Sequence, residues 1–197
     1  MSQNINFAAL IGSRICHDLT SPIGTINNGL ELMEMSQPTR SQEMQLISDS
    51  VTSASARIRF FRIAFGAAGE QMVGRPEAVS ILNDVYVSSR LTVVWGPMDG
   101  QPRGLVRLTF LAALCMETAM PYGGRIEIDA EDGKMVLTGH ADKFNMDDRL
   151  WTMLKGGAAV EDLRPAQVQF GLLPLIATDQ GRTLTVARAE NRISITV

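Results

Sequence analysis

The sequence predicts an α+β protein in two parts, a long antiparallel helical hairpin followed by a two-layer α/β sandwich. In the first third of the chain, apolar residues recur every three or four positions, which is the periodicity of helices. Beyond a junction at Gly74-Arg75-Pro76, short strand-like runs are interspersed with helical segments. This change of pattern predicts a helical domain over residues 1–70 and an α/β domain over residues 75–197.

The first helix is predicted over residues 4–35. Its apolar stripe follows steps of three and four and comprises Ile11, Ile15, Leu19, Pro22, Ile26, Leu30 and Met33. A polar break at residues 36–40 follows, and there Thr39 and Gln42 have the spacing of a capping box. The chain is therefore expected to turn back near Pro38 into a second helix.

The second helix carries a more regular stripe that stops before Gly66 and Gly69, as helices often do at glycine. The stripe consists of Met44, Ile47, Val51, Ala54, Ile58, Phe61 and Phe65. Two helices bury one seam, yet further apolar residues such as Leu46 and Phe60 flank it. A second hairpin from another copy of the chain would cover these residues, so the sequence predicts a homodimer with a four-helix bundle.

The α/β domain is predicted to begin with a helix and to continue with strands and helices in a mixed order. The predicted helices cover residues 77–88, 104–120, 147–154 and 165–179, and the predicted strands cover residues 91–95, 125–130, 134–138, 183–187 and 193–197. The turn dipeptide Asp132-Gly133 predicts that the second and third strands form a hairpin.

Composition excludes several classes of function. With a net charge of −3 over 197 residues, no basic face dominates, which argues against a nucleic-acid-binding protein. Cys16 and Cys115 have neither metal-ligand spacing nor the density of a disulfide framework, so we expect free thiols and a cytoplasmic protein. No apolar run approaches the roughly 20 residues that span a bilayer, so no membrane association is predicted.

The two histidines differ in their surroundings. His140 follows a predicted strand without a set of metal ligands, and we interpret it as a surface loop residue. His17 lies between Ile15 and Leu19 of the apolar stripe and is rotated about 200° from each, so it should be exposed. A neutral imidazole is a good nucleophile, and the neighbouring carboxylate of Asp18 would orient the ring.

The residues around His17 resemble a known motif. Residues 17–23, HDLTSPI, are similar to the H-box of two-component histidine kinases, which marks the phosphoaccepting helix. Residues 14–19, RICHDL, and 26–32, INNGLEL, closely resemble the ChpT-type histidine phosphotransferases of alphaproteobacterial phosphorelays. The resemblance is dense over residues 7–35 and covers the whole chain by domain order. It implies a dimeric helical-hairpin domain and a degenerate relative of the histidine-kinase ATP-binding domain.

The α/β domain departs from the kinase pattern where ATP would bind. The resemblance places Leu114 and Thr118 where kinases carry the asparagines of their magnesium site, and Glu117 is expected to face elsewhere. Residues 138–143, TGHADK, lack the aspartate and second glycine of the adenine loop, and Pro174 interrupts the third glycine box. We therefore predict no ATP, cofactor or metal in this chain, and expect Mg²⁺ in the receiver partner.

The resemblance implies that His17 carries a phosphoryl group between the receiver domain of a hybrid histidine kinase and those of response regulators, with Asp18 as the second catalytic residue. A turn near Pro38 would place residue 17 opposite a residue near 59. Receiver domains present an acidic pocket, which arginines would favour. The predicted partner-binding residues are Arg14, Ser13, Ser21, Arg57, Arg59 and Arg62.

Three other functions remain open at this stage. An active histidine kinase would bind ATP. A receiver-domain phosphatase would use Ser21, which lies one turn after His17. A non-catalytic dimeric adaptor would bind receivers without using His17. Whether the chain is an enzyme is therefore uncertain.

Overall fold

The computed structural model describes residues 14, 15, 18, 19, 21–26, 28, 29, 32, 42–66, 70–157 and 163–197. The described residues between 14 and 32 are helical and are called the N-terminal helical segment. Helix α1 covers Gln42–Ala64. Gly29 lies so close to this helix that an added Cβ would be 2.6 Å from Cγ1 of Ile47. The predicted break at residues 36–40 lies outside the described residues.

The α/β elements follow one another in the predicted order. They are β1 (Met72–Val73), α2 (Arg75–Tyr86), β2 (Leu91–Trp95), β3 (Gln101–Pro102), α3 (Arg103–Ala119), β4 (Gly124–Glu131), β5 (Lys134–His140), α4 (Asp148–Leu154), a 3₁₀ turn (Pro165–Gln167), α5 (Val168–Asp179), β6 (Thr185–Ala189) and β7 (Arg192–Thr196). The short strands β1 and β3 were not predicted, because two residues show no periodicity. In the described part of the chain, no helix is both long and apolar enough to cross a membrane.

Five strands form one mixed sheet in the order β2-β4-β5-β7-β6. The pair β2 and β4 is parallel and is connected through α3, whereas the other neighbours are antiparallel. A Cβ added to Gly139 would lie 3.1 Å from the sulfur of Met116, so α3 covers this face of β5. The side chains facing the helices are fully buried and include Ile126, Ile128, Met135, Leu137, Ile193 and Ile195. The α+β class is therefore confirmed.

The prediction was correct at the start of strand β5 and wrong at its end. Asp132 and Gly133, with φ of 49° and 74°, make the turn from β4 to β5 as predicted. His140 was predicted to lie in a loop, but β5 extends through it, and His140 pairs with Arg125 on one side and Arg192 on the other. Pairing with β4 and β7 extends β5 as far as His140, and the alternation of polar and apolar residues in the sequence of β5 does not show this.

We expect Gly124→Ala to lower the free energy of unfolding by about 3 kcal/mol, because the residue has a φ of +141° and a Cβ would lie 2.3 Å from the carbonyl oxygen of His140. Gly133→Ala is the matched control. Its φ is also positive, at +74°, but no atom would lie within 4 Å of the new Cβ, so a loss of only about 1 kcal/mol is expected. Urea unfolding of both variants measures the difference, and equal losses would contradict this explanation.

The buried face of α1 differs from the predicted stripe. Of the seven stripe residues, Phe61 alone is fully buried, whereas Met44, Val51 and Ile58 are 52%, 48% and 52% exposed. The C-terminal half of the helix instead buries Phe60, whose ring stacks on Phe110 of α3 with 4.6 Å between centroids. Phe60 was expected to be covered by a second hairpin, and this was wrong, because α1 packs against α2 and α3 of its own chain, which the periodicity within α1 does not reveal.

Two arginines of α3 fix the C-terminal end of α1. Nη2 of Arg103 donates to the carbonyl oxygen of Arg62 at 2.9 Å, and Nε of Arg107 donates to that of Ala64 at 3.4 Å. Carbonyls at the end of a helix lack intrahelical partners, so cationic donors stabilise them. Burial lowers the pKa of Arg107, and the nearby charge of Arg103 lowers it further. The helix is thus anchored to the α/β domain.

Candidate functional site

The candidate site contains described residues that are close to His17 in the sequence. His17 and Ser13 themselves lie outside the described residues. Arg14 and Asp18 are one turn apart on the N-terminal helical segment and form an ion pair, with 2.8 Å between Nε and Oδ2. Each side chain is only 11% exposed. Nη1 of Arg14 also donates to the carbonyl oxygen of Ala166 at 3.4 Å. Arg14, which precedes the H-box, therefore contacts the α/β domain at the 3₁₀ turn.

A second polar contact joins α1 to the α/β domain. Nη2 of Arg57 lies 3.9 Å from Oε1 of Glu117 on α3, and Oε2 of Glu117 accepts a hydrogen bond of 3.1 Å from the hydroxyl of Tyr86 on α2. Tyr86 is buried. Burial, reinforced by the negative charge of Glu117, raises the pKa of Tyr86 well above its usual value. The phenol therefore stays neutral near pH 7 and donates to the carboxylate.

These contacts border a pocket of about 310 Å³ between the N-terminal helical segment and the α/β domain. It is lined by Arg14, Leu114, Glu117, Thr118, Arg164, Ala166 and Gln167. Leu114 and Thr118 stand where the resemblance places the kinase asparagines. The hydroxyl of Thr118 donates to the carbonyl oxygen of Leu114 at 2.9 Å and accepts from the buried Gln169 at 3.1 Å. The Thr118 hydroxyl therefore donates one hydrogen bond and accepts another within the protein.

The sequence prediction for Glu117 was wrong. Glu117 was expected to face away from Leu114 and Thr118, but all three line the same pocket. The signal was present in the spacing, because residues three apart on a helix, such as Leu114 and Glu117, share a face. The contribution of Tyr86 was also missed, because its hydroxyl reaches Glu117 across 31 positions of sequence.

The other predicted site residues lie outside this cluster. Arg59 of α1 forms an ion pair with Asp84 of α2, and its Nη1 lies 3.4 Å from the hydroxyl of Ser80. Arg62 is exposed on α1, and Ser21 is exposed on the N-terminal helical segment. The structure therefore brings Arg14 and Arg57 to the α/β domain near Glu117, pairs Asp18 with Arg14, and directs Arg59 to α2. A role of these residues in binding a partner stays a prediction.

The surroundings of His140 fit the interpretation of a surface residue. Its Nε2 lies 3.7 Å from Oε2 of Glu127, and the other oxygen of Glu127 accepts from Nε of Arg125 at 2.8 Å. The hydrogen bond from Arg125 lowers the pKa of Glu127. All three side chains are between 41% and 52% exposed. Among the residues that the structure describes, no group of three or more His, Cys, Asp or Glu side chains is arranged to hold a metal ion.

Comparison with known proteins finds close relatives over almost the whole chain. Residues 75–192 match the family model described as the histidine phosphotransferase C-terminal domain. The protein phosphotransferase ChpT of Brucella abortus (strain 2308) is 32% identical over 195 residues, which cover 95% of this chain and 93% of that protein. A solved 1.7 Å structure of a bacterial phosphotransferase is 30% identical and superposes with a TM-score of 0.81, covering 100% of this chain and 97% of the other.

Proposed function

Since this chain belongs to the histidine phosphotransferase family, we propose that His17 carries a phosphoryl group between receiver domains and that the chain binds no ATP. The observation that carries the proposal is the ion pair of Arg14 and Asp18, which flank His17 in the sequence. This pair adjoins a pocket with Leu114 and Thr118 in place of magnesium-binding asparagines. The phosphoryl group must then come from another protein, as in a phosphorelay.

The proposed transfer is a displacement at phosphorus. The lone pair of one imidazole nitrogen of His17 attacks the phosphorus of an aspartyl phosphate on the donor receiver. The N–P bond forms while the bond between phosphorus and the aspartyl oxygen breaks, and its electron pair returns to the carboxylate. The proton on the other ring nitrogen stays in place, giving a phosphorylated imidazolium and a free carboxylate. The reverse step delivers the group to a second receiver, with in-line geometry supplying much of the catalysis.

The side chains near His17 have proposed roles that follow from their charge. Asp18, adjacent to the histidine, would orient the ring and stabilise its positive charge after transfer. Arg14 and Arg57 would favour the acidic pocket of a receiver that holds its own Mg²⁺. Contacts with the docked receiver would extend to the remaining predicted partner-binding residues, Ser13, Ser21, Arg59 and Arg62. Receiver domains operate in the cytoplasm, and we propose that this protein is cytoplasmic as well.

We also propose that the helical hairpin dimerises as a four-helix bundle. Gly29 lies beside Ile47, and these residues are equally distant from Pro38, as an antiparallel hairpin requires. The exposed residues Met44, Val51 and Ile58 are spaced by seven, which places them along one stripe of α1. Ile23 and Leu32 of the other helical segment are also 50% and 45% exposed. A second copy of the hairpin would bury these apolar side chains.

A phosphotransfer assay separates this function from its alternatives. A receiver domain carrying radiolabelled aspartyl phosphate is mixed with the purified chain, and an unlabelled receiver is then added. We expect label on the chain and then on the second receiver, and no label when the chain meets ATP and Mg²⁺ alone. Labelling from ATP would indicate a kinase, release of free phosphate without a labelled chain would indicate a phosphatase, and receiver binding without either reaction would indicate an adaptor.

A further inference from the structure

We propose that Glu117 of the α/β domain is a positioning residue for phosphoryl transfer, which acts by holding the guanidinium of Arg57 in place. The inference rests on the proposed function of His17. It assigns a direct role to the α/β domain, which has lost its kinase asparagines. The domain would supply a fixed carboxylate to a site on the helical hairpin.

The orientation of the Glu117 carboxylate is set by Tyr86. Oε2 accepts the 3.1 Å hydrogen bond from the Tyr86 hydroxyl, which leaves Oε1 directed at Arg57. The Tyr86 side chain is 5% exposed and belongs to the hydrophobic core, so its ring is held by packing. The buried phenol of Tyr86 thus fixes the carboxylate of Glu117, although the Glu117 side chain is 28% exposed.

The contact between Glu117 and Arg57 is suited to positioning. At 3.9 Å, Nη2 and Oε1 attract each other through their charges but are too far apart for an N–H···O hydrogen bond. Glu117 therefore restrains the position of the guanidinium through charge attraction rather than through a directional hydrogen bond. A partly exposed pair of this kind contributes little to stability, so an effect on transfer can be separated from an effect on folding.

The position of Glu117 connects the two helical segments of the proposed site. The pocket that it lines also includes Arg14, which is paired with Asp18 next to His17 in the sequence. Glu117 contacts Arg57 at 3.9 Å and shares the pocket with Arg14, while its other oxygen accepts from Tyr86. Tyr86 and Glu117 thus lie close to one predicted partner-binding arginine from each segment.

Glu117→Gln tests this role because it removes the charge and keeps the shape. We expect the rate of transfer from a phosphorylated receiver to fall about five-fold, with an unchanged thermal midpoint. Glu77→Gln, which alters an exposed carboxylate in the first turn of α2, should leave the rate unchanged. Tyr86→Phe should lower the rate about two-fold, since the carboxylate loses its donor. Glu117→Asp, which retains the charge, should recover part of the lost rate.

A double-mutant cycle shows whether Glu117 acts through Arg57. If it does, adding Glu117→Gln to Arg57→Gln causes no further loss of rate, whereas an additional five-fold loss would overturn the proposal. A wild-type rate in Glu117→Gln would also overturn it. If Glu117→Gln fails to fold, a full rate in folded Tyr86→Phe overturns it instead. Failure of the proposed function is distinguishable, because wild-type protein would then carry no label.

Discussion

Replacing His17 with glutamine should abolish phosphoryl acceptance while leaving the protein folded and dimeric. The glutamine amide is similar in size to imidazole, but its nitrogen lone pair is delocalised into the carbonyl and does not attack phosphorus. No other group is proposed to form the N–P bond, so we expect the loss to be complete within the detection limit of a radiolabel assay. Circular dichroism and a size measurement would show that the fold and the dimer persist.

His140→Gln is the matched control for this substitution, since the chain contains only two histidines. His140 is 44% exposed at the end of β5, and its contact is with Glu127 of the neighbouring strand. Transfer by this variant should equal that of the wild type. Retained transfer by His17→Gln, or loss of transfer only in His140→Gln, would show that the reacting histidine has been assigned wrongly.

Converting Val51 and Ile58 to glutamate should dissociate the proposed dimer. These side chains form part of the exposed apolar stripe on α1, and in a symmetric bundle each substitution removes two buried side chains and inserts two charges. About half of each side chain remains to be buried, which contributes about 0.8–1.5 kcal/mol per copy, so a single substitution should weaken dimerisation at least about ten-fold. Sedimentation or light scattering at micromolar concentration measures this change.

Val87→Glu provides the corresponding control on the α/β domain. Val87 follows α2 and is 79% exposed, so a charge at this position should leave both the dimer and the fold intact. A wild-type protein that is monomeric at micromolar concentration would contradict the bundle. So would a double glutamate variant that remains fully dimeric.

Local signals in the sequence were sufficient for much of the fold. Asp132-Gly133 predicted a hairpin because both residues adopt positive φ at little cost, and the structure has the turn there. The strand at Leu91–Trp95 was predicted with its observed bounds, since it is a compact run of β-branched and aromatic residues. Such features depend on neighbouring residues, which is why a single sequence reveals them.

Contacts between distant segments account for the errors. The face of α1 that Phe60 occupies is decided by Phe110, fifty positions away, and no periodicity within α1 encodes that contact. In the same way, the hydrogen bond between Tyr86 of α2 and Glu117 of α3 joins residues 31 positions apart, and no local pattern encodes it. The assignment of His17 rests on a compact motif and stays a prediction, whereas the contact of Glu117 with Tyr86 and Arg57 is visible only in three dimensions.

The α/β domain supports the helical segments through several independent contacts. Phe60 stacks on Phe110, Arg59 pairs with Asp84, and Arg103 binds the end of α1. Apolar packing and charged contacts therefore act together along the C-terminal half of this helix. These contacts keep the C-terminal half of α1 in a fixed position on the α/β domain.

Identifying the residue that carries the phosphate tests the central claim most directly. After reaction with a phosphorylated receiver, the chain would be digested at alkaline pH and its peptides sequenced by mass spectrometry. We predict phosphate on His17, stable in alkali and lost in acid, as expected for an N–P bond. Phosphate on Asp18 or another side chain, or transfer between receivers while the chain stays unmodified, would contradict a phosphohistidine intermediate at His17.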